Sequence, residues 1–162
     1  MASDILWGYR CFLSSRGDDV IDEWLSTISK KGKAKLERTL EHLCVQPKTE
    51  WDRPHASSLG HHIYVIRFKD ETGMQHRVFG HFHDKEKTFA LTLTGFEKDD
   101  KYHPSDYHER ATDNKSICDA SYPSRTKECF VLAAHKSALA AALIEGVNQI
   151  TGVNTPIRLT RK

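Results

Sequence analysis

Residues 62–96 read HIYVIRFKDETGMQHRVFGHFHDKEKTFALTLTGF, and the rhythm of this stretch decides the fold. Its first seven residues alternate, so that Tyr64, Ile66 and Phe68 share one side of an extended chain while Ile63, Val65 and Arg67 share the other. A turn at Thr72-Gly73 leads into a second run in which Val78, Gly80 and Phe82 oppose Arg77, Phe79, His81 and His83. After another turn near Asp84-Lys85, the β-branched and aromatic residues of TFALTLTGF predict a third strand. Three strands joined by short turns make an antiparallel meander.

On the N-terminal side, Leu6, Trp7, Tyr9, Cys11 and Phe12 predict a first strand over residues 5–13, stopped by the Ser-Ser-Arg-Gly run from Ser14. Asp18 is placed to cap a helix in which Val20, Ile21, Trp24, Leu25 and Ile28 recur at helical spacing. After Lys31-Gly32, a second helix puts Leu36, Leu40, Leu43 and Cys44 on one side until Pro47 ends it. The two form a helical hairpin that needs the apolar side of the meander to cover. Residues 47–61, with two prolines, a Ser-Ser pair and Gly60, read as a loop.

Beyond the meander, Pro104 and Ser105 open a helix through Tyr107, Ala111 and Cys118, and residues 119–128 read as irregular. Leu132, Leu139, Leu143, Val147 and Ile150 then space the apolar stripe of a last helix. The expected class is α+β in the order β-α-α-β-β-β-α, a helical hairpin on an antiparallel sheet over residues 1–118. Residues 119–162 form a C-terminal extension with one amphipathic helix.

The 162 residues, 38% hydrophobic and 28% charged, suit one folded domain with an appendage and exclude the disordered and fibrous classes. Residues 1–15 lack the basic and apolar segments of a secretory signal, and the segment 130–150 holds His135, Lys136, Glu145 and Asn148, so neither export nor a membrane span is expected. The four cysteines form no Cys-x-x-Cys unit, and reduced thiols in a cytoplasmic protein are the expectation. A net charge of +2, from 24 basic and 22 acidic residues, means that any nucleic-acid surface must arise from local clustering. Ten histidines are the compositional oddity, and they can supply acid/base groups near neutral pH.

The strand order and three segments resemble the RelE superfamily, its HigB-like branch in particular. HIYVIRF resembles the branch's strand that ends in an arginine, QHRVFGHF the next strand with its inward arginine, and LTGFEKDDKYHP the Leu-x-Gly-Phe-x-Lys-Lys signature that runs into a proline and a last helix. The likeness spans roughly residues 5–118. It implies the toxin of a type II toxin–antitoxin system: an endoribonuclease that cuts messenger RNA in the ribosomal decoding site by attack of the 2′-hydroxyl on phosphate, with no metal or other cofactor. The implied partners are an antitoxin of helix-turn-helix type, the ribosome and its message, with homodimerisation through the C-terminal helix open. The sequence departs from the pattern at Asp99 and Asp100, where relatives carry cations, and at Val65, where they often carry a carboxylate. A fold-sharing alternative is a ParE-like toxin that inhibits gyrase by binding; another is a catalytically degenerate relative that only binds.

In-line attack needs a proton acceptor, cations for the phosphorane charge and a donor for the leaving oxygen. Arg67 and Arg77 fall on neighbouring strands, opposite the predicted core, where two guanidiniums can hold one phosphate; otherwise they are solvated or paired with carboxylates. Lys98 follows the last strand and can assist at phosphate or be a plain loop lysine. His103 is the first choice for acid/base work, beside Tyr102, unless it only caps the next helix. His81 shares the face of Arg77; with His83 and His61 or His62 it raises a rival reading as a zinc cluster. The run Lys30, Lys31, Lys33, Lys35 and Arg38 can grip RNA backbone or be a solvated helix face. Phe79 can stack on a base or be an ordinary sheet aromatic.

Overall fold

The computed structural model of the chain describes residues 4–131; the expected C-terminal helix and its possible homodimer lie outside them. Eleven elements follow one another: β1 (Gly8–Phe12), α1 (Val20–Leu25), α2 (Lys30–Leu43), β2 (Ala56–Ser58), β3 (Tyr64–Lys69), β4 (Gln75–His83), β5 (Thr88–Lys98), β6 (Lys101–His103), α3 (Tyr107–Ala120), α4 (Tyr122–Arg125) and β7 (Thr126–Cys129). The class is α+β, and the meander β3-β4-β5 is antiparallel. The sheet as a whole is mixed, because β1 lies parallel to β5, with Tyr9 opposite Phe89 and Cys11 opposite Leu91. A strand reached through a helical hairpin returns to the sheet with its direction free, unlike strands joined by tight turns.

Local chemistry explains the element ends. Asp19, not Asp18, caps α1: its Oδ1 accepts the N–H groups of Ile21 and Asp22 at 3.0 and 2.9 Å. Ser29 caps α2 through the N–H of Gly32, so Lys31-Gly32 lies inside the second helix and not between the helices. The β3–β4 hairpin is gathered by Asp70, which accepts the N–H groups of Thr72 and Met74 and meets His76 Nε2 at 2.9 Å. The Thr72 hydroxyl and then His76 hold this carboxyl well below the usual carboxylate range.

β5 turns back into β6 through Asp99-Asp100, both left-handed, with φ of 54° and 62°. Two-residue hairpins favour such conformations, and Asp accepts them better than lysine does. Asp99 and Asp100 are thus turn residues. Gly95 serves the same hairpin, since a Cβ there would collide with the carbonyl oxygen of His103.

Both faces of the sheet are covered. The helical hairpin takes the face of Ile66, Phe68 and Val78, where Trp24 meets Phe68 edge-on and the Tyr9 hydroxyl donates to Leu40 O at 2.7 Å. The opposite face, expected to be open, carries a second core of Ile63, Val65, Phe79 and Leu93 under Ala111 of α3. At its far end Phe12, Ala90, Cys118 and Tyr122 form a third cluster.

The domain also extends past residue 118. β7 pairs antiparallel with β1, and Cys129 forms a disulfide with Cys11 across them, with Cα atoms 5.9 Å apart. This corrects the expectation of four reduced thiols: the strands place two of them within bonding reach, a proximity invisible at a separation of 118 residues. Cys44 and Cys118 are buried free thiols, and burial pushes Cys118 up to about 12. Among the described residues no helix is long and apolar enough to cross a membrane.

Closing so long a loop removes much freedom from the unfolded chain. Cys129→Ser should therefore lower unfolding stability by roughly 2–5 kcal/mol in oxidising buffer. Denaturant titrations with and without reductant check this; equal midpoints would show that the bridge does not hold β7.

Candidate anion-binding site

Antiparallel pairing sets Arg67 of β3 directly opposite Arg77 of β4, so both side chains leave the same face. Like charges in such a pair repel, and here they are also largely removed from water, at 8% and 5% exposure. The expected solvent-open pair is therefore mostly enclosed, a correction that follows from α3 and β6 covering this face.

Arg77 is fully engaged. Its Nε and Nη2 donate to Glu97 Oε1 at 3.1 and 2.8 Å, Nη2 also to Gln75 Oε1 at 2.8 Å, and Nη1 to His76 O at 2.8 Å. Arg67 is not: Nη2 donates to Ser57 Oγ at 2.7 Å, while its buried Nε has no partner. Tyr102, opposite Glu97 on β6, carries both guanidinium carbons near its ring, at 5.7 and 5.9 Å from the centroid. Burial pulls the Arg67 guanidinium below its ordinary value, and Arg53 and Arg77 push the same way against Tyr102 and Glu97.

Two hollows adjoin this pair and share Arg53. One, of about 470 Å³, is lined by Lys35, Thr39, Arg53, Pro54, His55, Arg67, Phe68, Lys69, Gln75 and Arg77. That lining holds five cationic side chains and no carboxylate. The other, of about 480 Å³, is lined by Arg53, Glu97, Asp100, Lys101, Tyr102, His103, Ser105 and Tyr107. Arg77 already has Glu97 as its counter-charge, and the other four cations make this hollow a candidate site for an anion.

The other expected site residues are dispersed. Tyr102 has both guanidiniums near its ring, but His103 projects from the alternate side of β6, stacks on Phe96 at 4.9 Å and lines only the second hollow. Lys98 is exposed, one position beyond Glu97 and so on the opposite face. Phe79 is fully buried, stacked on Tyr107 and edge-on to Tyr102, and offers no surface to a base. Of the basic run, Lys35 reaches the arginine hollow; Lys30, Lys31 and Arg38 are exposed along α2 and Lys33 is half-buried. His61 packs against His108 and His83 against Tyr122, and no group of three or more metal-holding residues occurs among the described residues.

Arg53, His55, Ser57 and Glu97 were not singled out from the sequence. The first three lie in a stretch without periodicity, where nothing marks which residue turns inward. Glu97 alternates onto the face of Arg77, a signal present in the strand pattern once β5 is extended beyond Phe96.

His81 has 0% exposure and neither ring nitrogen has a partner. Burial first, then Lys115 and His83, lower it to about 4, against Asp119. The unfolded chain, with an ordinary histidine near 6.5, takes up the proton first, so stability is complete above that pH and falls toward pH 4. His81→Leu should remove this acid loss and gain about 2 kcal/mol relative to wild type at pH 5. Thermal melts at pH 5 and pH 8 check it; an equal change at both would dismiss the titration.

Comparison with family models, with curated proteins and with solved structures gives no match to this chain.

Proposed function

We propose that the chain is a RelE/HigB-type toxin of a type II toxin–antitoxin system, a ribosome-dependent endoribonuclease. The observation that carries this reading is the arginine pair: two opposed guanidiniums around one tyrosine, one with an unpaired buried N–H, beside a hollow with five cations. The three motif segments support it, since they supply Arg67, Arg77 and Tyr102 to one place.

In this reading the scissile phosphate enters the hollow and meets Lys35, Arg53 and the Arg67 guanidinium, while Glu97 fixes Arg77 beside it. The guanidiniums stabilise the charge that grows on the phosphorane, and the Tyr102 hydroxyl protonates the leaving 5′-oxygen. Lys30, Lys31 and Arg38 continue the positive lane along α2 toward RNA backbone. With a net charge of only +2, the chain depends on the ribosome to present its substrate. The antitoxin, a small helix-turn-helix protein encoded beside it, masks the hollow.

Burial and saturation of Arg77 favour one other reading, a ParE-like gyrase inhibitor that binds without catalysis. Pulse labelling separates the two, because the nuclease stops protein synthesis first and the gyrase inhibitor DNA synthesis first.

Arg67→Gln removes the charge and, being two bonds shorter, also gives up the Nη2 contact with Ser57. Its expression should spare growth and cut messages about 10²–10³-fold more slowly than wild type, with an unchanged melting temperature. Intact messages under wild-type expression, or equal cleavage by a folded Arg67→Gln variant, would sink the assignment.

A further inference from the structure

We propose that His55 is the group that accepts the 2′-hydroxyl proton at this site; the proposal rests on the ribonuclease reading above. His55 is the histidine that lines the arginine hollow, whereas His103 faces the neighbouring one and His81 is sealed beneath α3. Its position is fixed at both ends. The His55 carbonyl accepts the N–H of Arg67 at 2.8 Å, which ties the residue to β3 one step beyond the β2 pairing. Its ring rests against His42 of α2, with centroids 4.4 Å apart. No hydrogen bond to a described residue occupies its ring nitrogens, so the lone pair is free for a substrate proton.

The charges around it favour the neutral, proton-accepting form. Lys35 and His42 face it from α2, Arg53 from its own loop, Arg67 and Lys69 from β3, and Arg77 from β4. Burial first, then His42 and Lys35, lower His55 from its ordinary value, so the base form dominates at neutral pH. Glu97 is a weaker acceptor here, because one of its oxygens takes two N–H groups of Arg77.

The step balances without a co-reactant. The 2′-hydroxyl proton passes to a ring nitrogen of His55, and the 2′-oxygen bonds to phosphorus. The P–O5′ bond then breaks with its electron pair on O5′, which takes the Tyr102 proton. Histidinium and tyrosinate exchange a proton through water, leaving a 2′,3′-cyclic phosphate and a 5′-hydroxyl end.

The test uses the full chain on ribosomes programmed with a defined message, reading kcat/KM against pH. His55→Ala should lower it by about 100-fold or more at pH 7, abolish the acid limb and keep the wild-type melting temperature. Added imidazole should restore about tenfold or more of the lost rate, a rescue that a packing defect does not show. Wild-type protein that leaves messages whole removes the ribonuclease reading and the base with it. Wild-type cleavage with an unaltered acid limb in His55→Ala, or an acid limb that instead disappears in His103→Gln or Glu97→Gln, overturns His55 alone.

Discussion

Two guanidiniums on directly opposed positions of neighbouring strands repel one another, and enclosing them adds the cost of lost hydration. The domain accommodates this by surrounding the pair with specific neighbours: the Tyr102 ring near both, Glu97 and Gln75 on Arg77, and Ser57 on Arg67. Tyr102 reaches them only because β6 folds back on β5, which in turn needs Asp99-Asp100 in left-handed conformation and no side chain at Gly95. The turn chemistry and the cation pair are thus one dependency. Glu97 compensates only Arg77, and the buried Nε of Arg67 is left without a partner among the described residues.

The two arginines divide the labour. Arg77 spends its donors on Glu97, Gln75 and a backbone carbonyl, so it is a fixed positive wall. Arg67 keeps an unpaired, buried donor at the edge where the chain passes through Arg53 and His55 and β2 begins. That edge is where sheet, α2 and loop meet, and where five cations face inward without a carboxylate. A site at the seam of three elements can be rigid on two sides and still be entered from the third.

Much of this architecture is legible in the residues. Period-two alternation over residues 62–96 places Arg67 and Arg77 on a common face, and helical spacing finds α1 and α2. What covers that face is harder to read. The inward positions of α3 are Tyr107, Ala111, Asn114 and Cys118, a mixture without an apolar stripe, and Asn114 spends its amide on Thr92 O. Without that layer, Phe79 and His81 looked available. His103 lies apart from the arginines because one step along β6 from Tyr102 reverses the side. Arg53 and His55 belong to a loop, where only the folded chain shows direction. The partnership of Cys11 with Cys129 is likewise set by β1 lying between β5 and β7.

The place of β1 bears on how the molecule comes into being during synthesis. The segments carrying Arg67, Arg77 and Tyr102 can zip together hairpin by hairpin as they leave the ribosomal tunnel. The opening strand must wait for partners that lie about eighty and then more than a hundred positions downstream. Until then its edge, and the underside of its helices, stand uncovered. A nascent chain in that interval offers a temporary handhold to any protein that must reach it before it matures.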